Sequence, residues 1–159
     1  MPVFALEIKA DLENVSKLRP LENNLWKLDI SNSDSERKLG ITVSAGDEID
    51  IEGSRGIANF ILKWPGSKQQ SYIKIVRLEK CSGEYSGSDS GSFVRIVGFE
   101  CRGLVIDRWI PTVDFEVETS SGVIIEGGAD LSDGDWADFD DRANQSVSVI
   151  NLEHRIVRL

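Results

Sequence analysis

Few residues in this chain are of the types that perform acid–base or nucleophilic chemistry. His154 is the only histidine, and Cys81 and Cys101 are the only cysteines. Residues 87–92, GSDSGS, are similar to the nucleophile loop of serine proteases, but that chemistry needs a histidine base that a carboxylate orients. Because His154 alternates with two aliphatic residues on one strand face, we expect a partly buried structural histidine. The sequence thus predicts no catalytic residues and a protein that is not an enzyme.

Residues 130–141, DLSDGDWADFDD, are the most acidic segment of the chain. Several carboxylates close together suit a hard cation such as Ca²⁺. The calcium-loop pattern is not met, because with Gly134 at the sixth loop position Ala129 would occupy the first. We expect an acidic surface loop held by Trp136 and Phe139. Weak binding of a divalent cation by this loop stays open as an alternative.

The net charge of −9 is confined to the second half of the chain. Residues 1–82 contain 12 acidic and 12 basic side chains, whereas residues 83–159 contain 15 acidic and 6 basic ones. Nucleic acids bind basic surfaces, so we expect no nucleic-acid partner. An acidic half suits a basic protein partner. The candidate interaction surface comprises Trp136, Asp138, Asp140 and Asp141.

Alternation of apolar and polar residues predicts an all-β protein. A long strand is expected over residues 4–12, and hairpins over 26–30 with 39–43 and over 57–64 with 71–78. The last strand, 146–159, changes apolar phase near Asn151, which indicates a β-bulge. No segment has a sustained helical period.

The order of strands and turns is similar in the two halves of the chain. Residues 81–92, CSGEYSGSDSGS, are rich in serine and glycine and have the composition of a linker. We therefore expect an N-terminal β-unit over residues 1–80 and an acidic C-terminal β-unit over residues 93–159. These would be two pseudo-symmetric antiparallel units, barrel-like or sandwich-like, that form one elongated molecule.

The sequence lacks the features of a secreted or membrane protein. The N-terminus has no basic region followed by an apolar core, and no apolar run approaches the roughly 18 residues that a membrane span needs. We expect a cytoplasmic monomer that does not bind membranes, with both cysteines present as free thiols.

Five segments, in this order and spacing, resemble the eukaryotic CXXC-motif-containing zinc-binding protein family. They are LEIKADLENVSKLRP at 6–20, GSRGIANF at 53–60, FECRGL at 99–104, WADFD at 136–140 and the ending that includes His154. The resemblance implies a cytoplasmic all-β molecule of two units with one structural zinc, no established enzyme activity and an association with a copper-chaperone domain. It also implies structural roles for seven motif residues: Arg19, Gly53, Arg55, Gly56, Glu100, Arg102 and Gly103.

The chain departs from this family at the zinc ligands. The family holds zinc with two C-x-x-C knuckles, one in each of two hairpin turns. The matching positions here carry Ser31 and Asp34 in the first turn, and Trp64 and Ser67 in the second. Two hydroxyls, one carboxylate and an indole are not a zinc ligand set, so we expect no zinc and no other cofactor. We expect the tips of both hairpins to pack through Trp64 instead.

These observations predict a non-enzymatic protein-interaction module whose partner could be a copper-chaperone-like domain. The alternative is a small-ligand-binding β-protein, which a closed apolar cavity would favour and a filled core would not. For single motif residues we expect Arg55 to pair with an acid or to cap strand carbonyls. Glu100 and Arg102 flank Cys101 and are expected to form a structural ion pair.

Overall fold

The computed structural model describes all residues, 1–159, and is built almost entirely of β-strands. It contains one 3₁₀ helix, Gly87–Asp89, and no helix that is long and apolar enough to span a membrane. The strands are β1 (Val3–Glu13), β2 (Val15–Pro20), β3 (Leu25–Ser31), β4 (Arg37–Ser44), β5 (Ile49–Asp50), β6 (Ile57–Ala58), β7 (Phe60–Leu62), β8 (Ser71–Val76), β9 (Tyr85–Ser86), β10 (Val94–Arg102), β11 (Val105–Ile110), β12 (Phe115–Thr119), β13 (Trp136–Asp140) and β14 (Gln145–Arg158). The predicted all-β class is confirmed.

A six-stranded antiparallel sheet forms the centre of the molecule, in the order β13-β14-β1-β10-β8-β7. Its central strand β1 pairs with β10 on one side and with β14 on the other. The alternation that predicts β1 is also the burial pattern, because Phe4, Leu6, Ile8 and Ala10 are all buried. The predicted hairpins β3–β4 and β7–β8 are both present.

Three smaller sheets complete the fold, in the orders β11-β3-β4, β12-β2-β9 and β5-β6. Every sheet except β5-β6 contains strands from before and after residues 81–92. The division into residues 1–80 and 93–159 stays a prediction. The segment 81–92 is attached to β1 by the buried Tyr85. The Tyr85 hydroxyl lies 2.7 Å from both the Asp89 and Ser92 carbonyl oxygens and 3.2 Å from the Ala10 nitrogen.

The core between the sheets is filled by apolar side chains. At its centre the Trp26 ring meets Phe99 edge-on at 6.0 Å and Phe115 edge-on at 6.2 Å. The Trp109 ring packs against Phe115 at 5.9 Å and against His154 at 5.6 Å. Such edge-on contacts add to the burial of each ring. The core is filled, whereas the small-ligand alternative would be favoured by a closed apolar cavity.

The predicted bulge near Asn151 is confirmed. The register between β1 and β14 shifts where Lys9 pairs with Glu153 and Asp11 pairs with Ile150. Asn151 lies in this gap with a φ of 56°, a conformation that asparagine tolerates better than most residues. Its backbone N–H donates to Asp135 Oδ1 at 2.8 Å, and its side-chain amide donates to Asp11 Oδ2 at 2.9 Å.

Candidate functional site

The turns of the β3–β4 and β7–β8 hairpins lie on either side of an open, polar cleft of about 430 Å³. The first turn contributes residues 32–34 and Glu36, and the second contributes Trp64, residues 65–67 and residues 69–71. Arg102 and Gly103, at the end of β10 and directly after it, complete the lining. Three of the four positions that the sequence analysis matches to the family's zinc ligands, Asp34, Trp64 and Ser67, therefore line one cleft.

The first turn is held together by Asn32. The Asn32 side-chain oxygen accepts hydrogen bonds from the backbone N–H groups of Asp34 and Glu36, both at 3.0 Å. The Asn32 side-chain amide donates to Glu36 Oε1 at 3.2 Å. An asparagine that bonds the backbone ahead of it closes a turn without other support. Ser31 is not part of this closure, because its hydroxyl donates to Asp107 Oδ1 at 3.0 Å.

The second turn is anchored by Trp64, whose side chain is only 4% exposed and belongs to the core. Its indole N–H donates to the Gly103 carbonyl oxygen at 3.2 Å. The Ser67 N–H donates to the Trp64 carbonyl oxygen at 3.0 Å, which closes the Pro65-Gly66 turn. Trp64 thus fixes the second tip to the turn after β10 and lines the same cleft as the first turn, and packing of both tips through Trp64 stays a prediction.

The acidic surface predicted at residues 136–141 is only partly on the surface. Asp140 is fully buried and accepts hydrogen bonds from the Ser121 hydroxyl at 2.6 Å and from the Arg142 and Ala143 N–H groups. The bond from Ser121 lowers the pKa of Asp140 below its usual range, and the two N–H groups act in the same direction. Trp136 is half-buried and packs against the core. Asp138 and Asp141 are exposed, as predicted.

An open cavity of about 480 Å³ lies beside the exposed acids of β13. Two large apolar side chains line it and remain exposed, Phe139 at 45% and Ile124 at 41%. Asp138, Asp141, Glu126 and Arg142 line the same cavity, so three carboxylates face one guanidinium group. Sequence reasoning missed Ile124, Glu126 and Arg142. It also treated Phe139 as an anchor, although alternation on β13 places Phe139 and Trp136 on opposite faces.

Comparison with known proteins identifies the relatives of this chain. Residues 5–157 match the family model described as "CXXC motif containing zinc binding protein, eukaryotic". The chain belongs to this family. It is 32% identical over 161 residues to a Xenopus laevis protein of that name, with 99% of each chain covered. It is 33% identical over 159 residues to the Drosophila melanogaster UPF0587 protein CG4646, with 97% of this chain and 96% of the relative covered.

A solved structure has the same fold. It is titled "Hypothetical protein from plasmodium falciparum" and superimposes with a TM-score of 0.92 at 30% identity, covering 99% of this chain and all of the other. The family description and the name of the Xenopus laevis relative refer to zinc binding and to no enzyme activity. The family assignment made from the five sequence segments is thus confirmed.

The residues of this chain do not fit the zinc that the family name implies. The Asp34 carboxylate and the Ser67 hydroxyl are the only side-chain oxygens at the matching positions in the cleft, and the Trp64 indole N–H is a donor. No group of three or more histidine, cysteine, aspartate or glutamate side chains is placed to hold a metal ion anywhere in the chain. A structural zinc site needs four protein ligands of nitrogen, sulfur or carboxylate type. In the acidic loop, Asp130 is engaged with Ser132 and Asp140 with Ser121.

Three of the family-motif residues, Arg19, Gly53 and Gly56, hold strands or turns in place. Arg19 forms ion pairs with Glu84, Glu116 and Glu118 across the β12-β2-β9 sheet. Gly53, with a φ of 71°, and Gly56 form the turn between β5 and β6.

Two expectations for charged motif residues are wrong. Arg55 makes neither an ion pair nor a side-chain hydrogen bond, because it lies in the exposed turn between β5 and β6 and its guanidinium group stays in solvent. Glu100 and Arg102 form no ion pair with each other, although they lie on the same face of β10, because Arg102 turns to the polar cleft.

The potentially reactive side chains serve the fold. Burial raises the pKa of the Cys101 thiol to about 12, so this cysteine is an inert core residue. The Cys81 thiol donates to the Arg95 carbonyl oxygen at 3.0 Å, and both cysteines are free. His154 Nε2 accepts the Trp109 backbone N–H at 3.3 Å. Burial, with Arg108 nearby, lowers the pKa of His154. His154 is thus a partly buried structural histidine, as predicted.

Proposed function

We propose that this chain is a non-enzymatic protein-interaction module that binds an extended, basic segment of a partner protein along β13. The observation that carries the proposal is the pair of exposed apolar side chains, Phe139 and Ile124, in one cavity with Asp138, Asp141 and Glu126. An apolar anchor surrounded by charges of one sign is typical of a contact that selects its partner by charge. The acidic excess of residues 83–159 extends this selection beyond the cavity.

The place of β13 in the sheet favours an extended partner. β13 is an edge strand, so one side of its backbone pairs with β14 and the other side pairs with no strand. An extended peptide can add to such an edge, with backbone hydrogen bonds for affinity and side-chain contacts for specificity. The Phe139 N–H donates to the Asp138 carboxylate at 2.7 Å. A partner strand has to displace this hydrogen bond before it can pair with Phe139, and this limits indiscriminate pairing at the edge.

The resemblance to the family suggests one partner class to test first, a small copper-chaperone-like domain with a basic surface. Arg142 is the one cation in the cavity, so the partner residues that meet it would be neutral or acidic. The rest of the cavity lining would accept lysine and arginine side chains.

The test uses a fluorescent peptide of alternating lysine and apolar residues, its glutamate counterpart, and a purified copper-chaperone domain. Binding is measured by anisotropy at low and high salt, and the contact surface is mapped by amide NMR shifts. We expect the lysine peptide to bind and the glutamate peptide not to bind. The affinity should fall with salt, because exposed charges are screened. Phe139→Ser should weaken binding about tenfold or more, as expected for a central anchor.

The matched control is Leu39→Ser, which removes an equally apolar and more exposed side chain on β4, away from β13. This variant should bind as the unmodified protein does. Equal binding by Phe139→Ser and Leu39→Ser, or shifts that map away from residues 123–142, would contradict the proposal. Trp136 is a poor test position because it packs against the core, so its replacement would also change stability.

A further inference from the structure

Ser33 lies at the tip of the β3–β4 turn, and its hydroxyl is free. Asn32 closes this turn through its own side chain, and Ser35 reaches a φ of 62° within it. Ser33 is exposed, and its Oγ makes no hydrogen bond. The hydroxyl is therefore available to react, because the turn does not depend on it.

Ser35, between Asp34 and Glu36, is exposed like Ser33, but it is followed by Arg37 and Lys38, which do not suit a basic substrate groove. Several other serines that lie close to acidic residues are already engaged. The Ser31 hydroxyl donates to Asp107, the Ser86 hydroxyl to Asp89, and the Ser132 hydroxyl to Asp130. The Ser88 hydroxyl shares a hydrogen bond with Ser86 at 2.9 Å. A modification of these hydroxyls would first have to break a bond that orders its own loop.

The residues after Ser33 form an acidic pattern, with Asp34 directly after it and Glu36 three positions on. Protein kinases choose substrates partly by complementary charge around the target hydroxyl. Carboxylates at these two positions suit a kinase with a basic substrate groove. Asp34 is exposed and Glu36 half-buried, so a groove can reach both.

Arg102 lines the same polar cleft as Ser33. Both residues line this cleft of about 430 Å³, and Arg102 is exposed and forms no ion pair. A phosphoserine carries about −1.5 to −2 charges at neutral pH and pairs strongly with guanidinium groups. A phosphate on Ser33 would thus join the first hairpin turn to the turn after β10. The carboxylates of Asp34 and Glu36 repel such a phosphate, so a net stabilisation requires the pairing with Arg102.

We propose that Ser33 is a phosphorylation site for an acid-directed protein kinase, and that Arg102 binds the phosphate. In the reaction Ser33 Oγ attacks the γ-phosphorus of MgATP, and a new oxygen–phosphorus bond forms. The bond from the γ-phosphorus to the β–γ bridging oxygen breaks, ADP leaves, and the hydroxyl proton passes to the catalytic aspartate of the kinase. This proposal does not depend on the interaction surface at β13.

The experiment treats the full chain with MgATP and a purified acid-directed serine kinase, then maps the phosphate by mass spectrometry. Ser33 should be the main site, and Ser33→Ala should lose most of the incorporated phosphate. The phosphorylated protein should melt about 2–4 °C higher than the unmodified one, the shift expected for one charged contact in a chain of this size. Arg102→Gln should be phosphorylated equally but should show no such rise.

Two results would overturn the proposal. One is phosphate mainly on other serines, or no phosphate on Ser33 in the folded protein while a peptide of residues 28–40 is phosphorylated under the same conditions. The other is an equal melting shift in Arg102→Gln, which would mean that Arg102 does not receive the phosphate. Arg158→Gln, which removes an exposed arginine on β14, is the control for a general charge effect and should keep the shift.

Discussion

Gly103 occupies a position in which a side chain has no room. Its φ is 75°, and a Cβ placed on it would lie 2.3 Å from the Ser71 Oγ atom. Its carbonyl oxygen accepts hydrogen bonds from both the Trp64 indole and the Ser71 hydroxyl, each at 3.2 Å. This single residue thus ties the second hairpin turn to the end of β10.

Replacement of Gly103 should cost more than replacement of a glycine with free space around it. Gly103→Ala incurs the strain of the positive φ, about 1 kcal/mol, and the clash with Ser71, about 1–3 kcal/mol more. Gly122→Ala is the matched control, because Gly122 has a φ of 87° and a Cβ added to it would have no atom within 4 Å. Urea unfolding at pH 7 measures the free energy of unfolding of both variants. Equal losses of stability would show that Ser71 simply moves aside.

At the scale of elements, Glu7 links β1 through its side chain to both neighbouring strands, β10 and β14. Its side chain is only 8% exposed, and its two carboxylate oxygens accept from Arg95 Nε at 2.9 Å and Arg155 Nε at 2.6 Å. Both arginines lie opposite Glu7 in the strand register. Burial alone would raise the pKa of Glu7, but the hydrogen bonds and charges of Arg95 and Arg155 outweigh it, and the pKa is lowered.

A lowered carboxylate pKa means that the network stabilises the fold at neutral pH and loses this effect in acid. The stabilisation is complete above the ordinary glutamate pKa of about 4.3 and is lost as the pH falls through the lower pKa of the folded state. Glu7→Gln should therefore cost about 1–3 kcal/mol at pH 7 and progressively less as the pH falls below about 4. Urea unfolding at several pH values measures this difference.

The control for Glu7→Gln is Glu153→Gln on the neighbouring strand. Glu153 pairs with Lys9 at 3.6 Å and is 61% exposed, so its loss should cost less than about 0.5 kcal/mol at any pH. A loss at Glu7 that is as small as this, or one that does not change with pH, would contradict the role assigned to the network.

The elements that the sequence could predict are those whose signal is local. Alternation with a period of two marks β1 and both hairpins, and the phase change marks the bulge at Asn151, because each depends on neighbouring residues. The pairing of β1 with β14 and of β3 with β11 depends on contacts between residues far apart in the chain, which no local pattern encodes.

The candidate surface was only partly predictable for a similar reason. Composition identified an acidic segment, but the period of two on β13 places Asp140 on the same face as Trp136. Asp140 is buried because Ser121, which is 19 positions earlier in the chain, satisfies its carboxylate. Ile124 lines the same cavity as Phe139, and the sequence does not reveal that the fold brings these two residues to one place.

At the scale of the whole molecule, the chain keeps the family fold without the family's zinc ligands. A structural zinc contributes directly to folding free energy, so its loss has to be offset. Here Asn32 closes the first turn, the buried Trp64 anchors the second, and the sheets share one core of 27 buried residues. We therefore infer that this member of the family folds independently of metal.

The most direct test of this inference is metal analysis of the full chain, purified without a metal-affinity tag, together with thermal melts with and without a chelator. Less than about 0.1 zinc per chain and identical melts are the expected results, because no complete ligand set is present. Near-stoichiometric zinc, or a melting temperature that the chelator lowers by several degrees, would contradict the account.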